Sequence, residues 1–214
     1  LGDRALAVTV DLTEEDGVTA ALAETNRRLG PVEILVNNAG IAGPMGRVDE
    51  LDPAEWQRVL DVNLNGAFHC TQRAVPMLRQ AGGGSIINIS SAAGRIPYAL
   101  RSPYSTSKFA LVGFTQCLAM ELGAFNIRAN AILPGIVRGE RRLGNSRRRA
   151  AAEGVTVDEI EARSLAKVAL ARMVEPEEIA GVVMFLASKA GANISGQTIN
   201  VDGYLQSLTE VPRT

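Results

Sequence analysis

Short runs rich in valine, isoleucine and leucine alternate along this chain with longer stretches in which apolar residues return every three or four positions. A β-branched run of four to eight residues reads as a strand, and a period near 3.6 reads as an amphipathic helix. On that basis strands are predicted at 5–12 (ALAVTVDL), 33–39 (EILVNNA), 85–90 (SIINIS), 128–133 (RANAIL) and 197–202 (QTINVD). These runs are mostly apolar rather than alternating, which suits parallel strands covered on both faces. The alternation of strand and helix predicts an α/β fold: a doubly wound, mostly parallel sheet in a single domain spanning 1–214.

The helices carry their own punctuation. Asp52 as N-cap with Pro53 in the first helical position opens a helix over 53–80. Thr156 and Glu159 form a capping box ahead of 157–170, and Pro176 opens a helix over 176–188. Ser102 reads as an N-cap followed by Pro103 at the first helical position, with Gly123 as the stop. In that helix Tyr104 and Lys108 lie one turn apart on one face. Asp11 reads as a cap for a helix beginning near Thr13.

Composition narrows the function. Apolar residues make up 46% of the 214, charged residues 21%, and the net charge is -1. The basic footprint that phosphate-backbone binding requires is missing, so nucleic acid is not expected as a partner. No apolar run approaches the roughly 18 residues of a membrane span, and Ile179–Ala187 is the richest, so no membrane partner is expected. The first residues lack a signal-peptide layout. Cys70 and Cys117 are isolated inside apolar helical stretches, which predicts small buried side chains and a reducing cytoplasmic setting, with no metal site.

The chemistry begins with the lysine four positions after a tyrosine. A free phenol has a pKa near ~10, and a cation within several ångströms favours the phenolate by about 1 to 3 units. That moves a tyrosine toward general acid/base work. The spacing alone carries little, because it arises by chance and an exposed lysine is usually just solvated. Ser91 adds to it: it follows the strand 85–90, thirteen positions before Tyr104, where a hydroxyl leaving a strand end can meet a phenol at the start of the next helix. Four further features stand in order. Asn37-Asn38-Ala39-Gly40 follows a strand, Asn63 sits within a helix, Pro134-Gly135 follows the strand 128–133, and Gly196-Gln197 with Val201-Asp202-Gly203 frames the last strand. Singly, the first could be an ordinary turn and Asn63 a satisfied buried polar residue.

Together, through essentially the whole chain, these residues resemble the short-chain dehydrogenase/reductases. The resemblance implies a Rossmann-like fold and an NAD(P)-dependent oxidoreductase that interconverts a secondary alcohol and a ketone without metal. It implies a catalytic set of Asn63, Ser91, Tyr104 and Lys108. Tyr104 would exchange a proton with the substrate oxygen, Lys108 would favour the phenolate and hold the nicotinamide ribose, Ser91 would position the substrate oxygen, and Asn63 would help hold a relay water. Cofactor contacts would come from Asp11, Leu12, Asn37, Ala39, Gly40, Tyr104, Lys108, Pro134, Gly135 and Val137. The partner implied is a small alcohol or ketone, and the assembly a homodimer or homotetramer built on the helices carrying Asn63 and Tyr104 and on the last strand.

The chain also departs from that pattern. The family's opening strand, glycine-rich turn and helix are absent ahead of the first predicted strand, so a longer parent protein is expected. Gly40, Gly43 and Gly46 have the wrong spacing to replace that turn, and Gly82–Gly84 read as a surface turn. Gly139 stands where many members carry a carboxamide-binding threonine, and Tyr204 replaces the last glycine of the terminal motif. Residues 138–149 lie where the family's variable substrate lid sits, here about 138–172, and carry six arginines against Glu140. They read either as recognition of an anionic substrate group or as a solvated flap or subunit contact. His69 reads as structural packing. A rival reading is a binding or structural protein of the same fold that lacks activity because the cofactor-binding N-terminus is missing. A hydrolase built on Ser91 would lack a histidine partner and a nucleophile elbow.

Overall fold

The computed structural model of the chain, which describes residues 4–208, contains four of the five predicted strands. They are β1 (Ile34–Asn37), β2 (Gly84–Ile89), β3 (Ile127–Pro134) and β4 (Thr198–Val201), paired in that order and all parallel. Parallel neighbours cannot be joined by a tight hairpin, so helices carry the chain between them. These are α1 (Glu15–Leu29), ahead of β1, then α2 (Pro53–Leu60), α3 (Gly66–Gln80), α4 (Ser102–Leu122), α5 (Glu140–Glu153), α6 (Val157–Leu165) and α7 (Pro176–Ala187).

Successive residues of a strand point to opposite faces, and β2 uses this to divide the core. Ile86 packs with Ala74 and Leu78 of α3, Leu118 and Leu122 of α4 and Ala129 of β3. Ile87 and Ile89 face the other way, against Ile132 of β3 and Leu186 of α7. Each such aliphatic side chain contributes roughly 1.5–3 kcal/mol by leaving water. A third cluster, Ala92 with Val168 and Leu205, ties the loop after β2 to the segment after α6 and to the chain beyond β4.

Several expectations need correction. Residues 5–12 form no strand: a strand needs a neighbour's backbone groups, and among the described residues β1 pairs only with β2. Burial on both faces holds for β2 and β3 but not for β1 and β4, which are the sheet's edges and expose alternate residues. Ser102 is not the cap of α4 but its first residue, with Arg101 in the cap position and Pro103 second. Proline is tolerated there because no amide of the first turn has an intrahelical acceptor. Asp11 accepts from the amide and hydroxyl of Thr13 at 2.9 and 2.8 Å, closing a turn, while α1 starts later at Glu15. Both cysteines are expected to be buried, but Cys70 is half-buried, with burial pushing its thiol up, and Cys117 is exposed. Leu111, Thr115, Leu118 and Leu122 occupy the inward face of α4, and Cys117 falls off that stripe.

The predicted helix over 53–80 is continuous but not regular. Asp52 caps it by accepting from Ala54 N at 2.9 Å, and a π-turn over Asp61–Asn65 separates α2 from α3. The Thr156–Glu159 capping box opens α6, which stops at Leu165 rather than at 170. Most of the arginine-rich segment is the helix α5. No helix among the described residues is long and apolar enough to cross a membrane.

Candidate active site

A cavity of about 790 Å³ opens beyond the carboxyl ends of β2 and β3, where connecting loops and helix starts converge in an open parallel sheet. Ser91 enters it from the loop after β2, Tyr104 and Lys108 from the first two turns of α4, Gly40 from the loop after β1, and Pro134, Gly135 and Val137 from the end of β3.

The start of α4 is bolted down by serines. Ser90 Oγ donates to the carbonyl of Lys108 at 2.8 Å, and Ser105 Oγ donates to the carbonyl of Ala93 at 2.9 Å. The loop can lie this close only because residue 94 is glycine: a Cβ there would stand 2.5 Å from Ser90 Oγ and 2.7 Å from the Lys108 carbonyl oxygen. Ser91 caps the 3₁₀ turn Ala92–Gly94 by accepting from Ala93 N at 3.1 Å. None of these serine and glycine roles was read from the sequence. A signal existed in S-P-Y-S-T-S-K, since serines this dense inside a helix compete with its backbone unless tertiary partners hold them.

The π-turn holds Asn63 behind the loop after β1, with 1% of its surface exposed and outside the lining of the cavity. Its Oδ1 accepts from Ile41 N at 2.8 Å, and its Nδ2 donates to the Ile41 carbonyl and to Ser107 Oγ, both at 3.0 Å. Ser107 in turn donates to the Tyr104 carbonyl at 2.7 Å. Asn63 thus joins the loop after β1 to the turn of α4 that carries Tyr104. Beside it Lys108 Nζ donates to the carbonyl of Ile89 at 3.0 Å and lies 5.8 Å from the centre of the Tyr104 ring. Burial, and next the cation of Arg141, push the Lys108 amine down to about 8.

The residues read as cofactor contacts fall into three places. Pro134, Gly135 and Val137 line the main cavity with Tyr104 and Lys108. Asp11, Leu12 and Ala39 line a neighbouring hollow with Val62, and Gly40 lines both. Asn37 lines neither. Its Nδ2 donates to Asn88 Oδ1 at 2.8 Å and to Thr71 Oγ1 at 3.1 Å, and Asn88 donates to Thr115 Oγ1 at 2.9 Å, a polar ladder linking α3, β1, β2 and α4. Gly135 has a packing reason of its own, since a Cβ there would stand 2.8 Å from Cα of Asp202. Asp202 is buried and pairs with Arg95 at 2.9 Å, which fixes the loop after Ser91 to the end of the sheet. His69 packs as read, its Nδ1 3.1 Å from the Leu12 carbonyl.

This arrangement fits a nicotinamide dinucleotide. Two hollows meet at a glycine, and Lys108 and Arg141 lie at the junction with no carboxylate partner among the described residues, suited to ribose hydroxyls and phosphate oxygens.

A family model described as enoyl-(acyl carrier protein) reductase matches residues 1–204. The trans-4-hydroxycyclohexanecarboxylate dehydrogenase of Sinomonas cyclohexanicum is 36% identical over 201 residues, covering 94% of this chain and 71% of that protein. The crystal structure of sorbitol-6-phosphate 2-dehydrogenase from Erwinia amylovora superposes with a TM-score of 0.90 at 30% identity, over 94% of this chain and 79% of that one. An NAD+-bound xylitol dehydrogenase superposes at 0.86 with 28% identity, over 92% and 77%. With the fold, the Tyr104–Lys108 helix and these matches agreeing, the chain belongs to the short-chain dehydrogenase/reductase family.

Proposed function

We propose that this protein is an NAD(P)-dependent oxidoreductase that interconverts a secondary alcohol and a ketone, with Tyr104 as the general acid/base. The observation that supports it best is convergence. Ser91, Tyr104 and Lys108 reach one cavity from two separate segments, and Asn63 comes from a third to brace the turn that carries Tyr104. A nicotinamide dinucleotide held there supplies or accepts the hydride. Tyr104 gives a proton to the carbonyl oxygen or takes one from the alcohol, and the Ser91 hydroxyl holds that oxygen within reach. Lys108 places a cation beside the phenol and offers its remaining donors to the ribose. Both amide donors of Asn63 are already engaged, so we read it as a positioning residue for Tyr104 and Lys108.

Relatives named as dehydrogenases support the reaction class, and the intact set of four favours it over an inactive protein of the same fold. Exposed Phe68 on α3, with Phe109 and Met120 on α4, supports a homodimer or homotetramer.

The test is Tyr104→Phe, assayed with trans-4-hydroxycyclohexanecarboxylate, sorbitol 6-phosphate and xylitol against both dinucleotides. Turnover should fall about 10²- to 10⁴-fold while dinucleotide affinity is unchanged, because only the exchangeable proton is lost. Undiminished turnover in the variant would remove Tyr104 from the chemistry.

A further inference from the structure

Among the described residues, five cationic side chains line the main cavity, Arg101, Lys108, Arg138, Arg141 and Arg142, and no carboxylate does. Two of them are neutralised from outside: Arg138 by Glu175 at 2.8 Å and Arg142 by Glu161 at 3.0 Å. The arginines further along α5 are not in the lining, and Arg149 pairs with Glu153. Anion recognition therefore does not come from the arginine-rich segment as a whole. Arg141 sits at the cofactor end, where its Nη1 is 3.5 Å from the Gly40 carbonyl and its charge acts on Lys108.

Arg101 shares with Lys108 and Arg141 the lack of a carboxylate partner among the described residues but differs from them in its place. It occupies the cap position of α4, three residues before Tyr104, so its place relative to the phenol is set by the helix itself. Its Nη1 donates to the carbonyls of Gly43 and Ala42 at 3.0 and 3.4 Å, its Nε is buried without a hydrogen-bond partner, and it has no carboxylate partner among the described residues. Carbonyls orient a guanidinium without cancelling its charge. The result is an un-neutralised guanidinium on the cavity wall, with Nη1 held by the two carbonyls and Nη2 left without a partner among the described residues, which suits an oxyanion.

We infer that Arg101 binds an anionic group of the substrate, a carboxylate, sulfonate or phosphate carried on the same molecule as the reacting carbon. The anion anchors one end while Tyr104 meets the oxygen at the other. This rests on Tyr104 being the acid/base.

The test separates the two. Binding of cyclohexanecarboxylate, cyclohexanesulfonate and cyclohexyl phosphate, with cyclohexanol as the neutral counterpart, is measured by calorimetry on the dinucleotide-saturated protein. In parallel, trans-4-hydroxycyclohexanecarboxylate and its methyl ester are compared as substrates. At least one acid should bind 10-fold or more tighter than cyclohexanol, with an affinity that falls as salt rises. Arg101→Gln should weaken that acid 10- to 100-fold and bring the acid-to-ester ratio of kcat/KM close to one, while Arg101→Lys, which keeps the charge and loses the fork, should retain part of the preference. Dinucleotide affinity, read on both variants, should not move. The inference fails if no acid outbinds cyclohexanol, if Arg101→Gln leaves the preference intact, or if it weakens the dinucleotide instead, which would place Arg101 on a cofactor phosphate. Acid binding without turnover on any substrate would count against Tyr104 alone, and turnover without acid preference against Arg101 alone.

Discussion

Lys108 directs its ammonium group at the carbonyl of Ile89, the last residue of β2, at 3.0 Å, with 4% of its surface exposed. The cation one turn after Tyr104 is therefore held by the end of the sheet and by no counter-ion among the described residues. A charge buried this way is costly, and its folded-state pKa of about 8 lies below the ordinary 10.5.

Between about 8 and 10.5 the unfolded chain binds the proton more strongly than the folded protein, so this group makes stability rise with pH across that window. Below it the full penalty is present. Lys108→Met should therefore be more stable than the native protein at pH 7, and the excess should shrink to nothing by about pH 10.5. The difference in Tm between the two proteins, followed from pH 6.5 to 10.5, checks this, and a difference independent of pH would contradict it.

Asn63→Leu keeps the volume and removes every polar contact at the π-turn. It takes the partner from Ile41 N and from the part-buried Ile41 carbonyl and removes the donor to Ser107 Oγ, which keeps its own bond to the Tyr104 carbonyl, and each buried group left unpaired costs about 1–3 kcal/mol. Urea unfolding should show a loss of about 2–4 kcal/mol in all, because partial relaxation recovers some of it. If Asn63 positions rather than reacts, kcat should fall with little change in the pH profile of what remains.

Gly94→Ala should be as informative as a change to a catalytic residue. The new methyl meets the Lys108 carbonyl, which is backbone, so α4 and the loop must separate. Overpacking of this kind costs about 1–3 kcal/mol, and the shift falls on the turn between Tyr104 and Lys108. Stability and kcat should drop together, and adding Ser90→Ala should not restore them, since the backbone contact remains. Full rescue by that second change would show that the serine alone was obstructed.

The sequence by itself determined the fold class, four of the strands, the caps at Asp52 and Thr156, and the identity of Ser91, Tyr104 and Lys108 as the residues to examine. Hydrophobic period and capping chemistry are local properties, written within a few residues of where they act. The failed strand at 5–12 shows the boundary, because a β-branched run states a preference while a ladder requires a partner. Only the tertiary structure decided the rest. It showed that Asn37 serves the sheet rather than lining the cavity, that Gly94 and Ser90 seat α4, and that Arg101 keeps its charge while Arg138 and Arg142 lose theirs to glutamates. Whether a charge is spent depends on neighbours dozens of residues away, as Arg138 and Glu175 are, and no local pattern records them.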